Sequence, residues 1–138
     1  MTQTNRLDGG LINRDQPMNF RFDGKSYQGF DGDTLASALL ANNVRLMGRS
    51  FKYHRPRGPL TAGSEEPNAI VEPREGARKE PNTPATTAEL FDGLSARPQH
   101  RWPSLTCDAL AIHASLSSSY ASGFYLKTFM WPPAFRVK

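Results

Sequence analysis

The stretch from Gly32 to Val71, GDTLASALLANNVRLMGRSFKYHRPRGPLTAGSEEPNAIV, leaves little freedom over what this chain can fold into. Asp33 and Thr34 are N-cap residue types, and the apolar run Leu35 to Leu40 follows at once, which predicts a short helix. Asn42 and Asn43 tolerate the left-handed backbone that closes such a helix. Val44, Leu46 and Met47 no longer keep helical spacing, so a basic strand, a Pro/Gly loop and a second strand ending near Val71 are expected next. The cations Arg45, Arg49, Lys52, Arg55 and Arg57, with His54 among them, all fall between Asp33 and the next acid, Glu65. That density of positive charge points to an acidic counterpart or a neighbouring protein surface.

Upstream, Met18, Phe20 and Phe22 alternate with Asn19 and Arg21, the pattern of a half-buried strand. Asp23-Gly24 is a strong hairpin turn, and Ser26 to Phe30 reads as the return strand. Hairpin, helix, strand, loop and strand is the β-grasp order. The expected class is therefore α+β, a small mixed sheet with one packed helix. Residues 1–15 read as a polar arm that Leu11 and Ile12 tack onto the body, residues 16–97 as the β-grasp domain, and residues 98–138 as a loop-rich extension. Pro73, Gly76, Pro81 and Pro84 punctuate the second half. Thr86 and Thr87 before Glu89, Leu90 and Phe91 suggest a short strand or helical turn ended by Gly93, and Pro98 to Pro103 a connector. Ser104 is placed to cap a helix over Leu105 to Leu116, with Leu105, Ala109, Ile112 and Leu116 on one stripe. The tail GFYLKTFMWPPAF is the most aromatic part of the chain and reads as packing or interface material.

With 138 residues the chain suffices for one domain, and its 11 glycines and 11 prolines argue against a helical bundle. One cysteine, Cys107, excludes an internal disulfide and any cysteine-only metal site, and reads as a small buried residue. The N-terminal MTQTNRLDGG lacks the apolar run of a signal peptide, and no run approaches the ~20 residues that span a bilayer, so the expected location is cytoplasmic, without membrane contact. Neither a G-x-G-x-x-G nor a P-loop is present. His54, His100 and His113 are scattered, and His113 reads as a surface or half-buried residue. Phe51 and Tyr53 interleave with Lys52 and Arg55, which admits nucleic acid, an anionic cofactor or partner surface, or a solvated strand.

The words GDTLASALLANNVRLMGRSFKYHRPRG, EEPNAIVE, REGARKEPNTPATTAELFDGL, RWPSL and GFYLKTFMWPPAF resemble the N-terminal region of the alpha subunit of heterotetrameric sarcosine oxidase. The resemblance runs from about Arg6 to Phe135. It implies a ferredoxin-like first domain of a large subunit that works with beta, gamma and delta subunits. That complex oxidises sarcosine to glycine, yielding hydrogen peroxide and formaldehyde or methylenetetrahydrofolate, with FAD, FMN, NAD and tetrahydrofolate as ligands. In related amine- and opine-oxidising enzymes the first domain carries a plant-type [2Fe–2S] cluster on C-x4-C-x2-C plus a further cysteine. Aligning the RG loop of those enzymes on Arg57-Gly58 puts Thr61, Glu66 and Ala69 at the ligand positions. A hydroxyl, a lone carboxylate and a methyl group cannot replace thiolates, and Cys107 alone cannot rescue the site, so no cluster is expected.

The chain stops where the family continues into its dinucleotide-binding region, and reads as a truncated or separately encoded first domain without catalytic or cofactor-binding residues. The expected role is structural, with Arg49, Lys52, Tyr53, Arg55, Arg57, Phe124, Phe129 and Trp131 as contact residues. Its rivals are an electron-transferring first domain of a related amine or opine oxidoreductase and a stand-alone module that binds anions or nucleic acid.

Overall fold

The alternation at Met18, Phe20 and Phe22 produces β1 (Asn13–Phe22), whose Phe20 and Phe22 are each 1% exposed. A two-residue turn follows in which Asp23 (φ 49°) and Gly24 (φ 80°) are both left-handed, the geometry that matches strand twist. β2 (Lys25–Asp31) returns antiparallel, in register from Phe22↔Lys25 to Pro17↔Phe30 before the pairing slips toward Asn13. The computed structural model that shows this describes Gln3, residues 5–51 and residues 53–112.

Thr34 caps α1 (Leu35–Ala41) through a reciprocal box with Ser37: Thr34 Oγ1 accepts from the Ser37 amide, and Ser37 Oγ from the Thr34 amide. Asp33, the other candidate cap, is buried one position earlier, where it accepts from the Phe30 amide, Ser37 Oγ and both Nη atoms of Arg6. Asn43 (φ 60°) closes the helix in the left-handed region, and the Asn42 side chain donates to Ala38 O and Gln28 O at 2.7 Å each. Leu35, Ala36, Ala38, Leu39 and Ala41 are buried. Their apolar face joins a core with Phe20, Phe22, Met47, Val71, Leu90, Leu94 and Ala96, each large side chain contributing about 1.5–3 kcal/mol.

Beyond the helix come β3 (Gly48–Arg49), β4 (Pro56–Arg57), β5 (Ile70–Pro73), β6 (Thr83–Pro84) and β7 (Ser95–Pro98). The main sheet has the order β2-β1-β7-β5-β6. Its centre is β7, parallel to β1 (Arg21↔Ser95, Phe22↔Ala96) and antiparallel to β5 (Val71↔Pro98). Pro98, which reads from sequence as the start of a connector, is thus the last residue of the central strand. The expected basic strand forms only as the short β3. β3 and β4 are two-residue strands of a separate antiparallel ribbon, and the chain reverses between them with His54 at φ 51°.

Four local expectations are corrected by neighbours the sequence does not reveal. Residues 85–88 form turns, and Glu89 makes a single bridge to Thr34, although Gly93 (φ 79°) does end the segment. Ser104 Oγ accepts from the Cys107 amide but starts no helix; Asp108 caps a 3-10 turn, Ala109–Ala111, instead. On this path Leu105 is buried, Ile112 is 66% exposed and Cys107 is exposed rather than buried. The remainder of the expected helix, His113 and the aromatic tail lie outside the described residues. In the arm, Leu11 is fully exposed, and the anchor is Arg6, paired to Asp33 at 2.7 Å with its guanidinium over the Phe30 ring. Among the described residues no helix is long and apolar enough to cross a membrane.

Candidate functional site

Two elements meet at Asn68: the loop from Gly58 to Ala69 and the β3–β4 ribbon. The loop departs where only glycine fits, since a Cβ on Gly58 would sit 2.4 Å from Arg45 O. Residues 60–65 and Pro67 are exposed, and Glu66 between them is 3% exposed. Its Oε2 accepts from the amides of Leu60 (2.7 Å) and Thr61 (2.6 Å) and more weakly from Thr61 Oγ1 (3.3 Å). Its Oε1 accepts from the amides of Asn68 (2.7 Å) and Ala69 (3.0 Å). Burial pushes this carboxyl up, but the four backbone donors outweigh it and hold it at about 2. Thr86 Oγ1 ties the far side of the loop by donating to Gly63 O. Ala69 is fully buried, and its carbonyl accepts from the amide of Ala85, also fully buried.

The ribbon is held from below by an ion knot. Arg49 donates through Nε and Nη2 to Leu105 O and through Nη1 to His54 O, and its Nε lies 3.4 Å from Asp108 Oδ2. His54 Nδ1 meets the same oxygen at 2.9 Å. Asp108 Oδ1 accepts from the amides of Trp102 and Leu110, so its side chain is fully buried with both oxygens engaged. Asp23 completes the attachment, accepting from the Leu105 amide and pairing with Arg101. Above the knot, Phe51 is 51% exposed and stands edge-on to His100, with ring centroids 5.2 Å apart. Beside them opens a cavity of about 440 Å³ lined by Phe51, Arg57, Asn68, Ile70, Gln99 and His100. Burial, then the neighbouring His54 and Arg57, pushes the His100 imidazole down.

The structure therefore sorts the candidate contact residues. Arg49 is turned inward and is spent on the knot, with its side chain 13% exposed. Arg55 and Arg57 are exposed; Arg55 lies over the half-buried Tyr53 ring at 5.0 Å, and Arg57 Nη1 donates to Asn68 Oδ1. Lys52, Phe124, Phe129 and Trp131 lie outside the described residues. Asp108 went unrecognised in the sequence, where its signal, a capping residue before an apolar run, was outweighed by Ser104.

Residues 15–101 match the family model for the 2Fe-2S iron-sulfur cluster binding domain. The chain belongs to this cluster-binding family. It is similar to sarcosine oxidase subunit alpha of Rhizobium meliloti (strain 1021), at 61% identity over 123 residues, 89% of this chain and 12% of that one. The corresponding subunit of Corynebacterium sp. (strain U-96) is 46% identical over 93 residues, covering 64% of this chain and 9% of its own length. The chain thus spans about a tenth of the curated relatives it matches. The crystal structure of L-proline dehydrogenase from P. horikoshii shares the fold, with a TM-score of 0.51 at 24% identity over 65% of this chain and 17% of that one.

The cluster that gives the family its name does not fit the residues present. At the C-x4-C-x2-C spacing, Thr61 turns its amide and hydroxyl toward Glu66, the Glu66 oxygens are taken by N–H donors, and Ala69 offers a methyl group. Ala85, hydrogen-bonded to Ala69, adds another methyl beside the loop. Cys107, the chain's single cysteine, lies on the Ser104–Asp108 segment instead. No group of three or more His, Cys, Asp or Glu among the described residues could hold a metal ion.

Proposed function

We propose that this chain is a cluster-free, ferredoxin-like assembly domain of a sarcosine-oxidase-type alpha subunit. The observation that carries the reading is a cluster-family fold whose ligand loop is closed by a carboxylate instead of thiolates. The 61% identity to a sarcosine oxidase alpha subunit supports the choice of complex. In that complex the domain packs the rest of alpha, together with beta, gamma and delta subunits, while FAD, FMN, NAD and tetrahydrofolate serve the oxidative demethylation of sarcosine elsewhere. The chain itself carries out no catalysis.

The docking surface in this reading is the turn between β3 and β4 with the end of β4, where the exposed Phe51, Arg55 and Arg57 and the half-buried Tyr53 supply the aromatic and arginine side chains that dominate interface energetics. The test is capture of this chain by the remainder of alpha and the beta subunit, with sarcosine-dependent peroxide production as readout. Wild type is expected to complement. Arg55→Glu with Arg57→Glu is expected to weaken capture at least about tenfold, roughly 1.4 kcal/mol, while stability stays within about 0.5 kcal/mol because both side chains are exposed. Normal capture of the double variant removes the ribbon from the interface. Failure of wild type to bind or complement removes the assembly role. The same arginines admit an anion- or nucleic-acid-binding module, and affinity for a polyanion that falls steeply with salt would favour it.

A further inference from the structure

We infer that residues 60–69 form a backbone oxyanion site, and that the chain fills it with its own Glu66 carboxylate where a cluster-binding loop would hold iron and sulfide. The inference builds on the cluster-free half of the reading above and is independent of the assembly half. Its first support is convergence. The donors come from both ends of the loop, Leu60 and Thr61 on one side and Asn68 and Ala69 on the other, and each pair takes one oxygen of a single carboxylate. Successive amides aimed at one point are the concavity that proteins use for phosphates and for the sulfurs of iron–sulfur centres. The donor half of such a site is therefore present, with the metal-ligating half replaced.

The second support is that, apart from the Thr86 Oγ1–Gly63 O and Arg57–Asn68 bonds, the loop between the two donor pairs is gathered by Glu66. Residues 60–65 and Pro67 are exposed, so no apolar cluster of the loop's own closes it. Glu66 sits between the two donor pairs as a staple with a negative charge. Its position, four residues after Thr61 plus one and three before Ala69, is that of the second ligand in the cluster spacing. An acid at that position is a chemically sensible replacement, since an anionic cluster and a carboxylate make the same demand on the backbone N–H groups. The site's ligand class follows: a small carboxylate of the size of the side chain it already holds.

Removing the side chain tests this. Glu66→Ala deletes a methylene and a carboxylate, the heavy atoms of acetate, and leaves four amides without an acceptor. In the full chain, amide hydrogen exchange at Leu60, Thr61, Asn68 and Ala69 is expected to accelerate at least tenfold. Sodium acetate is expected to restore protection saturably, while matched sodium chloride does not, and neither salt changes these amides in wild type. Unchanged exchange at the four amides of Glu66→Ala overturns the inference, as does an acetate response no different from that of chloride. Should Glu66→Ala not fold, Glu66→Gln decides: its one carbonyl oxygen is expected to protect one pair of amides while the other pair exchanges at least tenfold faster, and equal protection of all four overturns the site. Iron and sulfide in the wild-type chain report separately on the cluster-free reading, so the two can fail independently.

Discussion

Asp108→Ala is expected to lower the unfolding free energy by about 3–5 kcal/mol, the cost of leaving one partner of a buried ion pair behind. The Asp108 side chain is fully buried and Arg49 nearly so, and the substitution takes the shared carboxylate oxygen from both the Arg49 guanidinium and His54 Nδ1, leaving the buried arginine charge with only the Leu105 and His54 carbonyls. It also removes the acceptor for the Trp102 and Leu110 amides, so the turn within residues 102–110 loses two of its internal hydrogen bonds. Asp108→Asn keeps an oxygen for those amides and is expected to cost less, about 1.5–3 kcal/mol for the charged bonds it gives up. Urea denaturation measures both. Trypsin is expected to cut faster after Arg101 in Asp108→Ala, because the Trp102 amide and the turn that follows lose their Asp108 acceptor. A loss below about 1 kcal/mol with unchanged cleavage would show that the knot contributes nothing.

The second large effect is an acid limb in the stability profile. Glu66 sits at about 2 in the folded chain against an ordinary 4.5. The unfolded state therefore binds a proton first as the pH falls, and the stabilisation, complete above about pH 5, is lost progressively down to pH 2. At about 1.4 kcal/mol per factor of ten in proton affinity, the limb is worth at most about 3 kcal/mol, less the solvent screening available to a surface loop. Asp33 adds to the acid limb in the same direction, because Arg6, Ser37 and the Phe30 amide outweigh its burial and hold its carboxyl low. Glu66→Gln is expected to be less stable than wild type at pH 7 and to show a shallower fall between pH 5 and 2. Parallel profiles for the two proteins would mean that the four backbone donors do not tune this carboxyl.

What was legible in the sequence was local. Asp23-Gly24, the Thr34 cap and Asn43 each dictate backbone geometry within a few residues, and each stands where the pattern put it. β7 was not legible. Ser95-Ala96-Arg97-Pro98 is short and ends in proline, and it becomes a central strand only because β1 and β5 leave a gap for it. The basic segment misled for the related reason that cations between aromatics resemble a half-buried strand, whereas Arg49 points inward to an aspartate 59 positions later in the chain. For Glu66, spacing showed that it could not be a thiolate. Its positive role depends on amides from Leu60 and Ala69, which only the closed loop brings together.

The most direct test of the central claim is iron and acid-labile sulfide content after anaerobic reconstitution of the full chain, read alongside the visible spectrum. The expected result is a folded, colourless protein with no bound cluster, because Thr61, Glu66 and Ala69 supply no thiolate. Two irons and two sulfides per chain with visible charge-transfer absorption would contradict it, and would return the domain to electron transfer.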